Sequence, residues 1–358
     1  MAITTPTYAT RDEVKQALDI KETARTNGQV DRAIEAASRA VEGLLRRTFY
    51  PQIDTRYVDW PNFQGTYPWK VYLDAAELAD VTVNVPVVTS GGNVINNANI
   101  FWGNPRYTPP YTVFELNRSS NATFGQGNTP QRDIAITGTF GYWIKTSSAG
   151  ALAAAVTDTT GTALTVTAAT TVAVGVGDNI LIDSERFLVV EKVMSSTGQT
   201  QQGSGVSTAV NNDVTLAVTD GTKYAVGDIL LLDSERMLVV DIAANNLTVK
   251  RAWDGSVLAT HSGATVYAQR TLTVTRGALG TTAATHSNAA AISLHVVPGL
   301  VKNLAVAEAI NMVLQEQGGY ARVQGQGAGA QTNIGTSLDA IRKQAVAQYG
   351  RKARQRTI

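Results

Sequence analysis

The feature that most constrains this chain is a duplication whose parts come in the wrong order for a tandem repeat. Residues 177–190, GDNILIDSERFLVV, recur as residues 227–240, GDILLLDSERMLVV. A second element recurs too. Leu247-Thr248-Val249 with Arg251, Gly255, Ala259, His261 and Ser262 matches Leu272-Thr273-Val274 with Arg276, Gly280, Ala284, His286 and Ser287. The order is head, head, tail, tail, where a tandem duplication gives head, tail, head, tail. The simplest topology with that order nests one complete unit, 212–269, inside a loop of another, 147–211 and 270–296. Each head reads as strand, tight turn, strand, with Asp-Ser-Glu-Arg at the turn, so each unit is expected to be a small β fold. The Gly/Ser/Gln-rich run between Val193 and Asn212 marks the join, and residues 147–160 read as a linker.

On either side of the duplication the periodicity is helical. Within residues 28–51, Val30, Ala33, Ile34, Ala37, Val41, Leu44 and Leu45 recur at steps of three, four and seven, which places them on one helix face. Val30, Ile34, Val41, Leu44 and Leu45 are therefore expected in the core or in subunit contacts. One helix cannot bury that stripe alone. Thr10 with Glu13 forms a capping box for a short preceding helix. Leu300, Val301, Leu304, Ala305 and Met312 to Leu314 supply another helix after Pro298. A Gly/Gln/Ala-rich linker, 318–335, leads to a last helix with Leu338, Ile341, Ala345, Val346 and Tyr349.

Between the first helices and the duplication the period changes to two. Arg56–Trp60, Lys70–Leu73, Asp80–Val85, Val113–Leu116 and Asp133–Thr137 read as strands of a small β domain, 51–146. Its aromatics, Trp60, Tyr67, Trp69, Trp102, Tyr107 and Tyr111, are expected mainly to pack, with sugar or base stacking as the alternative. The expected fold class is α+β: a helical bundle body from 1–50 and 297–358, the small β domain, and a duplicated, nested β insertion.

Little chemistry is legible. Thirty basic and 29 acidic residues leave a net charge of +1, so the whole chain is not an electrostatic nucleic-acid binder. Zero Cys excludes disulfides, thiolate metal sites and a Cys nucleophile. No membrane-length apolar run or secretory leader is visible, so a soluble, unexported chain is expected. The sequence carries no GxxxxGK[ST], HExxH or GxSxG. Gly325-Gln326-Gly327-Ala328-Gly329 follows no strand and reads as linker. His261 and His286 hold equivalent repeat positions with no carboxylate nearby in sequence, which favours a turn role. Asp183/Glu185 and Asp233/Glu235 offer too few oxygens for Ca²⁺, and Arg186 or Arg236 adjoins them. No catalytic residue, cofactor or metal is expected.

Several segments resemble head–tail adaptor (connector) proteins of tailed bacteriophages. They are Tyr8-Ala9-Thr10 opening a helix, Leu44-Leu45-Arg46-Arg47 with Phe49-Tyr50-Pro51, and Thr55-Arg56-Tyr57-Val58-Asp59-Trp60-Pro61. Thr108-Pro109-Pro110-Tyr111, Ile136-Thr137-Gly138-Thr139-Phe140-Gly141-Tyr142 and the Val297-Pro298 entry into a late helix add to it. The resemblance covers about 1–146 and 297–358, and the repeat unit is similar to modules inserted in such virion proteins. Having two copies departs from a minimal adaptor. The resemblance implies a structural, non-enzymatic protein assembled in the host cytoplasm. It would form a ring, usually twelve-fold, at the neck of the virion, joining the portal protein to a stopper or tail-completion protein around the DNA channel. It further implies that the C-terminal segment engages the portal, through Leu338, Ile341, Tyr349, Arg351, Lys352, Arg354 and Arg356, the basic ones facing acidic groups or DNA. The alternative from the residues is a carbohydrate-binding or adhesion module built on the β-domain aromatics.

Overall fold

The structure, a computed structural model, describes residues 3–18, 26–60, 67–73, 77–103, 108–203, 205–317, 323–324, 331–332 and 336–351. Helix α1 (Arg11–Ala17) starts at a reciprocal Thr10/Glu13 capping box. Helix α2 (Asn27–Leu45) starts at a second such box, Thr26/Gln29, and ends where Arg46 turns left-handed (φ 53°). Val30, Ala33, Ile34, Ala37, Val41 and Leu45 are all buried along its inner face. Leu44, expected with them, is 40% exposed. It lies on the last turn, to one side of the Val41–Leu45 line.

The small β domain follows. Strands β1 (Gln52–Val58), β2 (Lys70–Tyr72), β3 (Leu78–Asp80), β4 (Val87–Ser90), β5 (Asn93–Ile95), β6 (Ile100–Gly103), β7 (Val113–Leu116) and β8 (Ile134–Phe140) form two antiparallel sheets. One runs β1-β8-β4-β5 with β3 also on β8, the other β2-β7-β6, and a single core joins them. The strand expected over Asp80–Val85 does not form beyond Asp80. The Asp80 carboxylate accepts the N–H groups of Thr82, Val83 and Asn84 (2.9, 3.2 and 2.9 Å), which bends the backbone out of any ladder and leaves Val83 84% exposed.

The duplication forms two barrels. Strands β9 (Thr146–Ala151) and β10 (Ala163–Thr165), helix α3 (Ala168–Ala173), and strands β11 (Asn179–Ile182), β12 (Glu185–Gln202), β13 (Thr215–Val218), β14 (Ile229–Leu232), β15 (Glu235–Ala243), β16 (Asn246–Lys250), β17 (Thr265–Thr275) and β18 (Ala291–His295) make it up. The outer barrel runs β9-β18-β11-β12-β17-β10 and closes through the Leu152–Val166 bridge. The inner barrel runs β12-β17-β14-β15-β16-β13 and closes where Gln201 and Gln202 of β12 pair with Val218 and Ala217. The two long strands serve both. Residues 188–193 pair with 271–275 in the outer barrel, and 194–200 pair with 265–269 in the inner. Registers repeat, including the irregularity: Val189 faces Val274 with a bulge before Glu191, and Val239 faces Val249 with a bulge before Asp241. Residues 177–190 make no ladder with 247–266 among the described residues. Each barrel encloses its own apolar core. The outer unit thus takes 146–193 and 270–296 and the inner 194–269, and the 147–160 stretch read as linker includes most of β9.

Helix α4 (Gly299–Gln317), the short strand pair β19 (Val323–Gln324) and β20 (Gln331–Thr332), and helix α5 (Thr336–Tyr349) complete the chain. Here the expected fold class fails. The structure is mostly β, 35% strand against 24% helix, with five α-helices among the described residues and no helical bundle body. Helices α1, α2, α4 and α5 pack on one another, while α3 packs on β9 and β17 of the outer barrel. The α2 stripe packs on α4, and that core is completed by Tyr8, Phe49 and Tyr50 and by Val176 and Leu188 of the outer barrel. A stripe one helix wide needs covering by apolar area, and the barrel supplies part of it as well as the other helices do.

Candidate functional site

Three places gather the chemistry-bearing side chains. The first is a pair of matching knots, one in each barrel. The hairpin β14–β15 turns on Asp233-Ser234, with Asp233 left-handed (φ 49°), a conformation Asp tolerates; Asp183 does the same in the outer barrel (φ 52°). That turn delivers Glu235 to the interior. Its carboxylate accepts from Arg251 Nε and Nη2 (3.0 and 2.7 Å), from the N–H groups of Ala252 and Ala259 (2.9 and 3.0 Å), and lies 2.9 Å from His261 Nε2. His261 Nδ1 lies 2.7 Å from Asp233. In the outer barrel Glu185 takes Arg276, Gly277, Ala284 and His286 in the same way, and His286 Nδ1 faces Asp183 at 2.7 Å. Burial would raise both glutamates; the arginine, the N–H donors and the histidine outweigh it and hold each at about 2.

The carboxylate sites of both glutamates are filled by protein donors, and both nitrogens of each imidazole are engaged. A metal would have to displace an arginine, and among the described residues no group of three His, Cys, Asp or Glu is arranged to hold one. The knots therefore fasten the turn of one hairpin to the loop after the partner strand. Sequence reading misses the histidines' acidic partners, which lie 26 and 28 residues away in one copy and 101 and 103 in the other. The signal available is the repeat itself, since Asp, Glu, Arg and His recur together in both copies.

The second place is an aromatic hub. Phe49 sits among Tyr8, Tyr142 and Tyr349, with ring centroids at 5.8, 5.4 and 5.8 Å and the rings edge to face. The Tyr8 hydroxyl donates to Glu42 (2.6 Å) and accepts from the Phe49 N–H (2.9 Å). Burial, then the Glu42 charge, pushes that phenol well above its ordinary pKa. Arg47 lies 4.3 Å over the Tyr142 ring, pairs with Glu77 (3.0 Å) and donates to the Tyr349 carbonyl (2.6 Å). Trp143 Nε1 donates to the Val296 carbonyl at 2.7 Å. The segments around Tyr8, Leu45–Pro51, Ile136–Tyr142 and Val296–Pro298 meet here. The Tyr111 segment reaches the hub's edge, bonded in both directions to Leu78 beside Glu77.

Helix α5 is held at the same hub. Leu338 and Ala345 are buried and Ile341 and Tyr349 half-buried on the chain's own core, Arg342 pairs with Glu308 (2.5 Å), and the Arg351 N–H donates to the Leu45 carbonyl (3.1 Å). The apolar face expected to dock on a portal is already covered within the chain. Lys352, Arg354 and Arg356 lie outside the described residues.

The third place is a cleft of about 320 Å³ between α1, β12 and the inner barrel, lined by Arg11, Lys15, Lys192, Arg236, Trp253 and Asp254 among others. Its charges are paired across it: Arg11 with Asp31 and Glu191 (2.8 and 2.6 Å), Lys192 with Asp12 (2.9 Å), and Lys15 and Arg236 with Asp254 (2.8 and 2.6 Å). It ties α1 to both barrels.

The β-domain aromatics mostly pack. Trp60 and Phe124 lie 4.9 Å apart, Trp102 and Phe114 5.1 Å, and Arg118 covers Trp69 at 4.2 Å. Tyr67 is half exposed beside Trp69, while Tyr107 lies outside the described residues. Comparison with known proteins finds no matching family model, no matching curated protein and no matching solved structure.

Proposed function

We propose that this chain is a structural protein of the tailed-phage neck. It forms a closed ring, twelve-fold by resemblance, that joins the portal vertex to the stopper or tail and prolongs the DNA channel. One observation carries the reading: most of the separate segments that resemble adaptors converge on a single aromatic hub around Phe49, with the Tyr111 segment at its edge. Segments far apart in sequence that share one packed junction behave as one unit, as a common adaptor core requires. Its mechanism is binding, through one heterologous interface repeated around a closed ring.

Because the α2 stripe is buried within the chain, ring contacts fall to other surfaces. The small β domain presents Val83, Val94 and Phe101 at 84, 70 and 58% exposure. Negative-stain imaging of the purified protein, with antibody labelling of intact virions, tests the reading. Rings with a central channel, and label at the neck, are expected. A monodisperse monomer together with label elsewhere on the particle rejects it. Glycan binding by the whole chain without rings favours the carbohydrate alternative.

A further inference from the structure

The two barrels can be compared position by position, since heads are offset by 50 residues (236 − 186) and tails by 25 (279 − 254). In the inner barrel Arg236 Nη1 meets Asp254 Oδ2 at 2.6 Å. Asp254 sits in the 3₁₀ turn Trp253–Gly255, in left-handed backbone (φ 53°). The outer counterparts are Arg186 and Leu279. Leu279 holds the middle of the matching turn, Ala278–Gly280, with the same left-handed backbone (φ 56°). The backbone frame of the arginine is also the same, with the Arg186 N–H donating to Thr281 Oγ1 (3.0 Å) as the Arg236 N–H donates to Ser256 Oγ (2.9 Å), while Leu279 itself packs against the helical core. The outer copy has the cation without the carboxylate.

Nothing within the described residues replaces that carboxylate. Arg186 Nη1 is buried without a hydrogen-bond partner, although the side chain as a whole keeps some access to solvent. The neighbouring titratable group is His295, whose Nε2 donates to the Phe49 carbonyl at 2.7 Å and whose Nδ1 is likewise buried and unpartnered. Burial, with the Arg186 charge adding to it, takes His295 down to about 4, so it is a neutral imidazole at pH 7 and cannot stand in for the carboxylate. Burial alone draws Arg186 down to about 10. A guanidinium held this way is stabilised by an anion, and its planar fork suits a carboxylate.

We propose that Arg186 is the receiving half of a carboxylate-binding site, taking from outside the chain the group that Asp254 supplies to Arg236 within it. Two sources share this chemistry: a free small carboxylate, and an Asp or Glu side chain of a second copy of the chain. The site does not depend on the neck reading.

The test is thermal unfolding of the whole chain at pH 7.5 in sodium acetate against sodium chloride of equal ionic strength, with light-scattering mass in both salts. For a free carboxylate, acetate raises the wild-type Tm by about 2–4 °C over chloride. That increment vanishes in Arg186→Leu, and in Leu279→Asp, which rebuilds the internal pair on a backbone Asp tolerates. For a second copy, the wild-type mass exceeds the monomer and falls toward it in Arg186→Leu, in Leu279→Asp, and on adding acetate. The double-mutant cycle guards against a packing artefact: Leu279→Asp must cost less Tm with Arg186 present than in the Arg186→Leu background. An acetate increment that persists in Arg186→Leu overturns the proposal. So does the absence of both an acetate-specific shift and a mass change, or a cycle with no coupling.

Discussion

At the scale of residues, the inner knot couples the barrel to pH. Glu235 and Arg251 are both fully buried, so replacing Glu235 by Gln leaves an arginine buried without its counter-ion. The expected loss is roughly 3–5 kcal/mol, read by denaturant unfolding at neutral pH. The sign with pH follows from the depressed carboxyl. Glu235 titrates at about 2 in the fold, against an ordinary value of 4.5. Its contribution is therefore complete above about pH 4.5 and is lost as pH falls through about 2. Melts between pH 2 and 6 should show wild-type stability falling toward the acid end, with a shallower slope in Glu235→Gln. Equal slopes would mean that Glu235 is not held ionised by its partners. This site is half legible in the sequence. The repeat displays every residue of the knot twice, but ion pairing across a barrel leaves no local spacing, so His261 and His286 read as turn residues without acids.

At the scale of elements, β12 and β17 explain why the duplication reads head, head, tail, tail. Each is long enough to leave one barrel and enter the other, so the inner barrel is inserted by a two-stranded ribbon and crosses the outer one nowhere. Excising 194–269 and joining Val193 to Arg270 removes a closed unit with its own core. It also removes the Asp254 contact with Lys15 and the Asp228 contact with Arg270 (2.8 and 2.7 Å). The shortened chain should keep a cooperative thermal transition, with a Tm within several degrees of the parent; a product without such a transition would show that the barrels fold only together. Excising the outer unit as well should not be tolerated, because Val176 and Leu188 line the helical core. The nesting is visible in the sequence because internal similarity is independent of environment. The fold class is not. Period 3.6 identifies α2 but not what covers it, and β9, a Ser/Ala/Gly-rich strand with little alternation, looks like linker. Asp80–Val85 alternates well and is still no strand beyond Asp80, since one carboxylate there outcompetes the ladder for three N–H groups.

At the scale of the whole molecule, the question is which part of the C-terminal segment remains for a partner. The inner face of α5 does not: it closes the hub through Leu338, Ala345 and Tyr349, and Arg342 is paired with Glu308, while Val346 on the outer face is 42% exposed. Removing everything after Gly335 would therefore expose apolar core, and a loss of function would report misfolding. The cut that discriminates comes after Arg351. It leaves the Arg351 bond to Leu45 in place and removes Lys352, Arg354 and Arg356, a change of three positive charges. Under the neck reading those charges face acidic portal groups or channel DNA. The truncated chain should then keep the parent's Tm and form rings, but join DNA-filled heads more weakly, with less dependence on salt. If the three charges lie on phosphates, the slope of log affinity against log salt should shrink by up to about 3, at roughly 0.9 for each phosphate that is no longer neutralised. An ion pair with acidic portal groups also weakens with salt, and head joining to DNA-emptied capsids separates the two, since only the DNA interaction disappears there. Unchanged affinity and salt dependence in the truncated chain would remove the basic tail from the joint.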